Sequence, residues 1–396
     1  MRDLHRSAQR QTIQWAAISV AAFAVLILAG SAQSAGTTLY VANNGTDDVT
    51  CGLEGMAPCR SISRAIAHAS AGDQIVVGPG LYGDINRDAS VDATGDSGEE
   101  NRVTVPPVEC PLVGVSTNWA LIHVDKRLTI VSRDGAGATV IDAGGQFFEN
   151  YIGVNIAADG VVFGKRGKGF TIRNGAIAVN VNGGIADASV QGNVAECHMG
   201  FVAGACDGAG PMAAGTVLKA NTAASDSIAG FHVFDDTAVI SGNLAKANLY
   251  SGFILFGGAG VVLRKNVAVD GLYRGYILYD PSPGVVFSKN AAIGNMDAGV
   301  FLISPGTAAI AMSIGDNALF GNGKRPQYPP ANCGLVIQNA GAQPLTVDAD
   351  GNWWGAASGP GADPADAAGG TCNAGAVTLN LAEWATKEIR VKPPTK

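Results

Sequence analysis

At 396 residues, with 54 Gly, 47% hydrophobic and only 7% aromatic residues, the chain can bury a large core of small side chains. Its formal net charge is −7 and no Lys/Arg-rich run occurs, so the electrostatic footprint of nucleic-acid binding is missing. After residue 35 no apolar run is long enough to span a bilayer as a helix.

Residues 1–35 read as a targeting segment. Arg2, Arg6 and Arg10 form a basic start, 16–28 is almost wholly apolar, and small residues follow through Ala35. This is the pattern of a Sec signal peptide, with cleavage after Ala32, Ser34 or Ala35, and an uncleaved anchor as the alternative. The expected location is periplasmic, extracellular or cell-surface. All seven cysteines lie beyond the segment, in spacings that match no zinc pattern, and an exported chain permits disulfides. Cys51–Cys59 and Cys197–Cys206 each close a short Gly-rich loop and are the preferred pairs. Cys333–Cys372 is a weaker expectation, and Cys110 is left over.

Residues 36–82 change character. A strand at 38–42 precedes a turn at 43–47, and a helix over 61–70 presents Ile62, Ala65, Ile66 and Ala69 on one face. A strand begins at Gln74. The run YVANNGTDDVTCG…PCRSISRAIAHASAGDQIVVGPGLY resembles the N-terminal cap of secreted right-handed parallel β-helix proteins. This group includes polymorphic outer-membrane proteins and many pectate-lyase-like chains. The resemblance implies an amphipathic helix plugging the open end of a solenoid, where strand edges and core would otherwise meet water.

The insertion at 83–120 begins with the most polar stretch of the chain. Asp84, Asn86, Asp88 and Ser90 alternate as in a calcium loop, and Asp92 follows. Ala89 replaces the usual turn glycine and Gly95 stands where a bidentate acid belongs, so Asp96, Glu99 or Glu100 would have to supply that ligand. A calcium loop and a solvated acidic loop are both open readings. Strand-like runs resume at 121–124, 128–132 and 138–142, and LTIVSRDGAGATVIDAGG resembles early coils of the same superfamily. Irregular coils follow, in which Asn174 and Asn193 are expected at the corners, and a Gly/Ala loop with Cys206 interrupts the period between Gly200 and Val217.

The stretch from Val217 to Ser304 repeats. Asn221, Asn243, Asn266 and Asn290 are 22, 23 and 24 residues apart, each preceded at four residues by Val217, Val239, Val262 or Val286. Nine residues after each comes a glycine with apolar neighbours: Gly230, Gly252, Gly275 and Gly299. A period in the low twenties, rich in β-branched and aromatic residues and lacking the leucines of leucine-rich repeats, predicts a solenoid of short strands. The fold class is therefore all-β, a right-handed parallel β-helix over 36–380 with a short capping helix. Two strands per unit are expected. The asparagines should form a corner column, tolerating left-handed backbone and bonding coil to coil about 4.8 Å apart.

After the regular coils come a Pro-rich insertion between Asn317 and Cys333, a strand from Gly334, and Gly351-Asn-Trp-Trp-Gly. This last element looks like the N-[WY]-W-G closing motif of many β-helices. Trp353 and Trp354 then cover the last coil or offer a sugar-stacking platform. Residues 356–380 close the domain, and 381–396 read as a short last element with a disordered end.

Chemistry-bearing residues are sparse. Registering the coils places Asp235 and Asp280 in one column two coils apart, roughly 9–10 Å at the backbone, which suits an inverting carboxylate pair. His232 and Asp236 lie beside them. Polysaccharide lyases with this fold use Lys or Arg as base, often with calcium; here Lys265 and Lys289 share one column and Lys219 and Arg264 the adjacent one, and Lys265 is taken as the candidate. No lyase, polygalacturonase or nucleophile-triad signature is present, so each charge also reads as a solvated outer position. Phe234, Phe256 and Tyr279 form a second aromatic column, facing away from Phe231, Phe253 and Tyr276. Either a loop covers it, the acidic insertion or the 200–215 segment, or it floors a groove. The expected protein is monomeric and binds or processes a polysaccharide or cell-surface glycan, with calcium its one candidate cofactor. A non-catalytic adhesive or scaffold protein is the alternative.

Overall fold

Each turn of the chain from Thr129 onward lays down three short strands, one on each of three parallel sheets, and climbs one strand spacing. The computed structural model describes residues 36–83, 100, 102–110, 114–144, 151–206, 210–224, 228–324 and 332–394. The segment 1–35 and the acidic stretch 84–99 lie outside the described residues. Among the described residues the sheets hold 12, 9 and 11 strands, each strand paired in parallel with the one a coil away, apart from one antiparallel hairpin. This is a right-handed parallel β-helix. No described helix is long and apolar enough to cross a membrane.

A representative coil runs Val239–Ser241, Leu244–Lys246, Ser251–Phe256, and the next runs Val262–Arg264, Val267–Val269, Arg274–Tyr279. The unit thus has three strands where the sequence suggested two. The middle one escapes notice because only its central residue points inward, too little for alternation to register. That residue is alanine in successive coils, Ala223, Ala245, Ala268 and Ala292, all buried. Small size is required there because the glycine column packs against it. A Cβ on Gly252 would stand 2.7 Å from the Gly275 carbonyl oxygen and 3.0 Å from the methyls of Ala245 and Ala268. Close approach, and not backbone freedom, fixes those glycines.

Two ladders run along successive coils. Inside, Phe201, Phe231, Phe253 and Tyr276 stack with ring centroids 5.0, 4.6 and 4.8 Å apart. At the corner between the first and second sheets, Asn193, Asn221, Asn243, Asn266, Asn290, Asn317 and Asn352 bond in series, each accepting at Oδ1 from the N–H of the one before. The corner column is present, with two corrections. Asn174 is not in it, since its side chain donates to Asp142. The left-handed residue is the one preceding each asparagine: Gly192, Ala220, Gly242, Lys265, Lys289, Asp316 and Gly351 all have positive φ. The ladder needs the asparagine's own N–H aimed along the axis, so the bend falls one residue earlier. A second, shorter ladder joins Asn295, Asn322 and Asp366.

At the N-terminal end the helix Ile62–His68 buries Ile62, Ala65 and Ile66 in the main core. Its first turn is held three ways. Ser61 Oγ accepts from Arg64, Asp47 accepts from Arg60 and Ser61, and Glu100 accepts from the N–H groups of Ile62 and Ser63 at 2.6 and 2.8 Å. Glu100 is fully buried, and burial lifts its carboxyl to about 7.

At the other end Trp354 is wholly inside the core, while Trp353 is half-buried and bridges to Ala318 through its backbone. The tail, expected as a short last element with a disordered end, packs Ile389 and Val391 on the outward face of the second sheet, against the cluster Val267, Ala291 and Ala318.

Disulfides join Cys51 to Cys59, Cys110 to Cys206 and Cys333 to Cys372. The pairing Cys197–Cys206 is therefore corrected, and Cys110 is not the odd thiol. Cys197 sits buried and unoxidised, its thiol pushed up to about 12 by burial. Cys206 turns instead to the outer face of the third sheet, where the insertion brings Cys110 from 96 residues away.

Candidate functional site

The outward face of the third sheet carries His232, Phe234, Phe256 and Tyr279 of the residues singled out from sequence, together with Cys206. One column on it can be followed strand by strand: His123, Asn155, Asn180, Val202, His232, Ile254, Ile277, Phe301, Val336. It is polar at the N-terminal end and, His232 apart, apolar beyond. An apolar outer face needs cover, and the strand Val103–Cys110 supplies it. That strand pairs antiparallel with Val115–Val124, and the two together pack Val105, Cys110 and Val115 with Ile152, Ile177, Met199 and Val202. Cover thus comes from the end of the insertion, pinned by Cys110–Cys206 to the 200–215 segment.

Two of the proposed acid–base residues, His232 and Asp235, are buried and have other tasks. His232 is fully buried, with Nδ1 3.0 Å from Cys206 Sγ and its ring against Phe234 and Phe256. Burial pushes its imidazole down to about 3, so it stays neutral. Asp235 is fully buried too, accepting from the N–H groups of Gly215, Thr216 and Thr237 at 3.2, 3.0 and 2.8 Å. Its carboxylate organises the turn where the Gly/Ala loop rejoins the coil.

Asp280 shares the column, through Gly257, but is exposed, as is Lys265. Lys265 stands at the left-handed position before Asn266, on a different corner of the solenoid. One carboxylate inside and one outside do not make the acid–base pair suggested by register.

The aromatic column is real but is spent on packing. Phe234, Phe256 and Tyr279 stack at 4.2 and 4.6 Å, with Phe234 buried beneath Gly204. Tyr279 is half-exposed, its phenol raised by burial and by Tyr250, to which it hydrogen-bonds. Farther along, Tyr250 stacks on Tyr273, and the Arg274 guanidinium lies between Tyr273 and Phe301 while bonding Asp297 at 2.7 Å. This end of the face is filled by its own side chains. Trp353 and Trp354 do not form a platform, since Trp354 is in the core. The calcium candidates Asp84, Asn86, Asp88, Asp92 and Asp96 all lie outside the described residues.

What the face leaves open is a cleft of about 270 Å³ where the covering strand meets the polar end of the column. Pro106, Pro107 and Glu109 form one wall, and Asn180, Asn182 and Cys206 another. Asn155 lies 3.1 Å from His123 Nδ1 and accepts from Asn180 Nδ2 at 2.8 Å, and Asn180 Nδ2 also donates to Asn182 at 2.8 Å. That series leaves the Oδ1 of Asn180, a residue only 1% exposed, with no partner. Such an acceptor costs about 1–3 kcal/mol unless something donates to it. Sequence reading missed the site because its walls come from segments about 70 residues apart. The signal available was two asparagines, Asn155 and Asn180, at outward positions of otherwise apolar strands.

No family model matches the sequence, and no curated protein matches it. The fold is a parallel β-helix. Among solved structures the chain is similar to a rhamnogalacturonan lyase, at 14% identity over 79% of this chain and 67% of that one, with a TM-score of 0.37. It is also similar to the A-module of the mannuronan C-5 epimerase AlgE4 of Azotobacter vinelandii (15%, 84% and 92%, 0.44) and to pectate lyase Pel9A (14%, 90% and 80%, 0.33). The likeness is one of fold.

Proposed function

We propose that this is an exported β-helix protein that binds a polysaccharide without cleaving it, in the cleft between Pro106–Glu109 and Asn180–Asn182. The observation that carries the reading is the orphan Oδ1 of Asn180, buried at a cleft whose other polar groups include the amide of Asn182 and the carboxylate of Glu109. A hydroxyl-rich ligand donates to such acceptors, and proline faces suit the apolar side of a sugar ring. The volume falls just below the roughly 300–1,000 Å³ of drug-sized sites, which fits one ring of a longer chain. Glu109 and the net charge of −7 disfavour a uronate and favour a neutral or amino sugar. The non-catalytic reading is supported by His232 and Asp235 being committed to packing and turn bonds. Export is supported by the N-terminal segment and by three disulfides.

The test is a panel of neutral, amino-sugar and acidic polysaccharides presented to the mature protein, with product assays for reducing ends and unsaturated uronates. Binding to a neutral or amino-sugar glycan is expected, weakened at least about tenfold by Asn180→Leu at unchanged circular dichroism, equivalent to about 1.4 kcal/mol. Product formation that disappears in Asp280→Ala or Lys265→Ala would overturn the non-catalytic reading. Absence of binding across the panel by folded protein would leave the scaffold alternative.

A further inference from the structure

His232 stands in its column between Val202 and Ile254, and it occurs where two sulfurs arrive from elsewhere in the chain. Cys110, Cys206 and His232 present their ligand atoms within 4.8 Å of one another, all buried. Nδ1 of His232 lies 3.0 Å from Cys206 Sγ. The ring is held in place by Phe234 and Phe256 at 5.0 and 5.4 Å. A second cluster, Cys51, Cys59 and His68, is less prepared: His68 is half-buried and its Nδ1 lies 3.1 Å from the Cys51 carbonyl oxygen and 3.7 Å from the sulfur.

We propose that Cys110, Cys206 and His232 hold one zinc ion when the disulfide between them is reduced. The first step is thiol–disulfide exchange: a dithiol reductant gives two electrons and two protons, the S–S bond breaks, and the reductant leaves as its own disulfide. The second step is ligation: two thiols lose their protons to solvent as two Zn–S bonds and one Zn–N bond form. Bonds of about 2.0–2.3 Å to a tetrahedral ion put ligand atoms roughly 3.5–4 Å apart, within the span available here. Charge selects the metal. Two thiolates beside a neutral imidazole carry −2 in an apolar site, and a divalent ion cancels that charge where a monovalent one leaves half of it. Soft sulfur donors exclude calcium and magnesium. Cys206 also lines the cleft, which gives water access to the fourth position. The site is independent of the glycan reading.

The experiment titrates the full exported chain, reduced by a dithiol and freed of it anaerobically, with Zn²⁺ against a chromophoric chelator and with Co²⁺ as a spectroscopic probe. Reduced wild type should bind one more equivalent than reduced Cys206→Ser, which corrects for the Cys51–Cys59 cluster. It should also show a thiolate-to-cobalt charge-transfer band that weakens in the variant. The oxidised protein should bind none at this site. His232→Ile, the residue of the next coil, should lower affinity by more than the roughly 10–100-fold that loss of an outer partner costs. Should that variant misfold, the nitrogen shift of His232 Nδ1 in wild type reads the same bond. Equal stoichiometry in wild type and Cys206→Ser, or a His232 resonance unmoved by zinc, overturns the proposal.

Discussion

Asn243 donates both its backbone N–H and its side-chain Nδ2 to the single Oδ1 of Asn266, at 3.1 and 3.0 Å, and Asn266 returns its own Nδ2 to the carbonyl of Ile240 at 2.8 Å. Each corner amide therefore ties three coils together. Asn266→Ala should leave two buried donor bonds and one carbonyl unmet, a loss of roughly 3–5 kcal/mol. Denaturant unfolding followed by circular dichroism measures it, and a loss under about 1 kcal/mol would show that water replaces the ladder.

Asp235 and Lys265 should separate as structural and dispensable. Asp235→Ala strips the acceptor from three N–H groups and is expected to cost about 2–4 kcal/mol. Lys265→Gly relieves a left-handed lysine and should raise stability by roughly 0.5–1 kcal/mol. Unfolding midpoints of the two variants decide this; a stable Asp235→Ala would return that carboxylate to the list of functional groups.

Stability should fall as pH rises from about 4 to about 7. Burial lifts Glu100 from 4.5 to about 7 and Asp366 from 3.8 to about 7. In that window the folded protein retains protons the unfolded chain has released, so each group weakens the fold by roughly 3–4 kcal/mol before the curve levels above pH 7. Glu100→Gln and Asp366→Asn should each flatten the profile. A wild-type profile that rises over the same window would contradict both assignments.

Ending the chain at Leu381 removes Ile389 and Val391 from the second sheet, baring the cluster Val267, Ala291 and Ala318. A loss of roughly 2–3 kcal/mol is expected, for two half-buried aliphatic side chains. Increased binding of an apolar dye and faster proteolysis at the coils should accompany it. A truncated chain identical to the full one in both assays would make the tail an ornament.

The solenoid, its period and its asparagine corner were legible in the sequence alone. Coil-to-coil contacts recur at a fixed separation, so the residues that serve them, Asn221 through Asn290 and Gly230 through Gly299, repeat in print. The inner and outer aromatic columns followed from strand alternation. What the tertiary structure decided is everything that breaks the period. The covering strand Val103–Cys110, the partner of Cys206 and the place of the C-terminal tail depend on contacts made once, outside the coil period, and no repetition announces them. Register put Asp235 and Asp280 in one column, yet only the path of the Gly200–Val217 segment decided that one carboxylate would be buried under backbone N–H groups and the other left in solvent. The same single-occurrence contacts aim His232 at a sulfur and leave Asn180 with an unanswered oxygen, because desolvation and close packing act on neighbours in space and not in sequence.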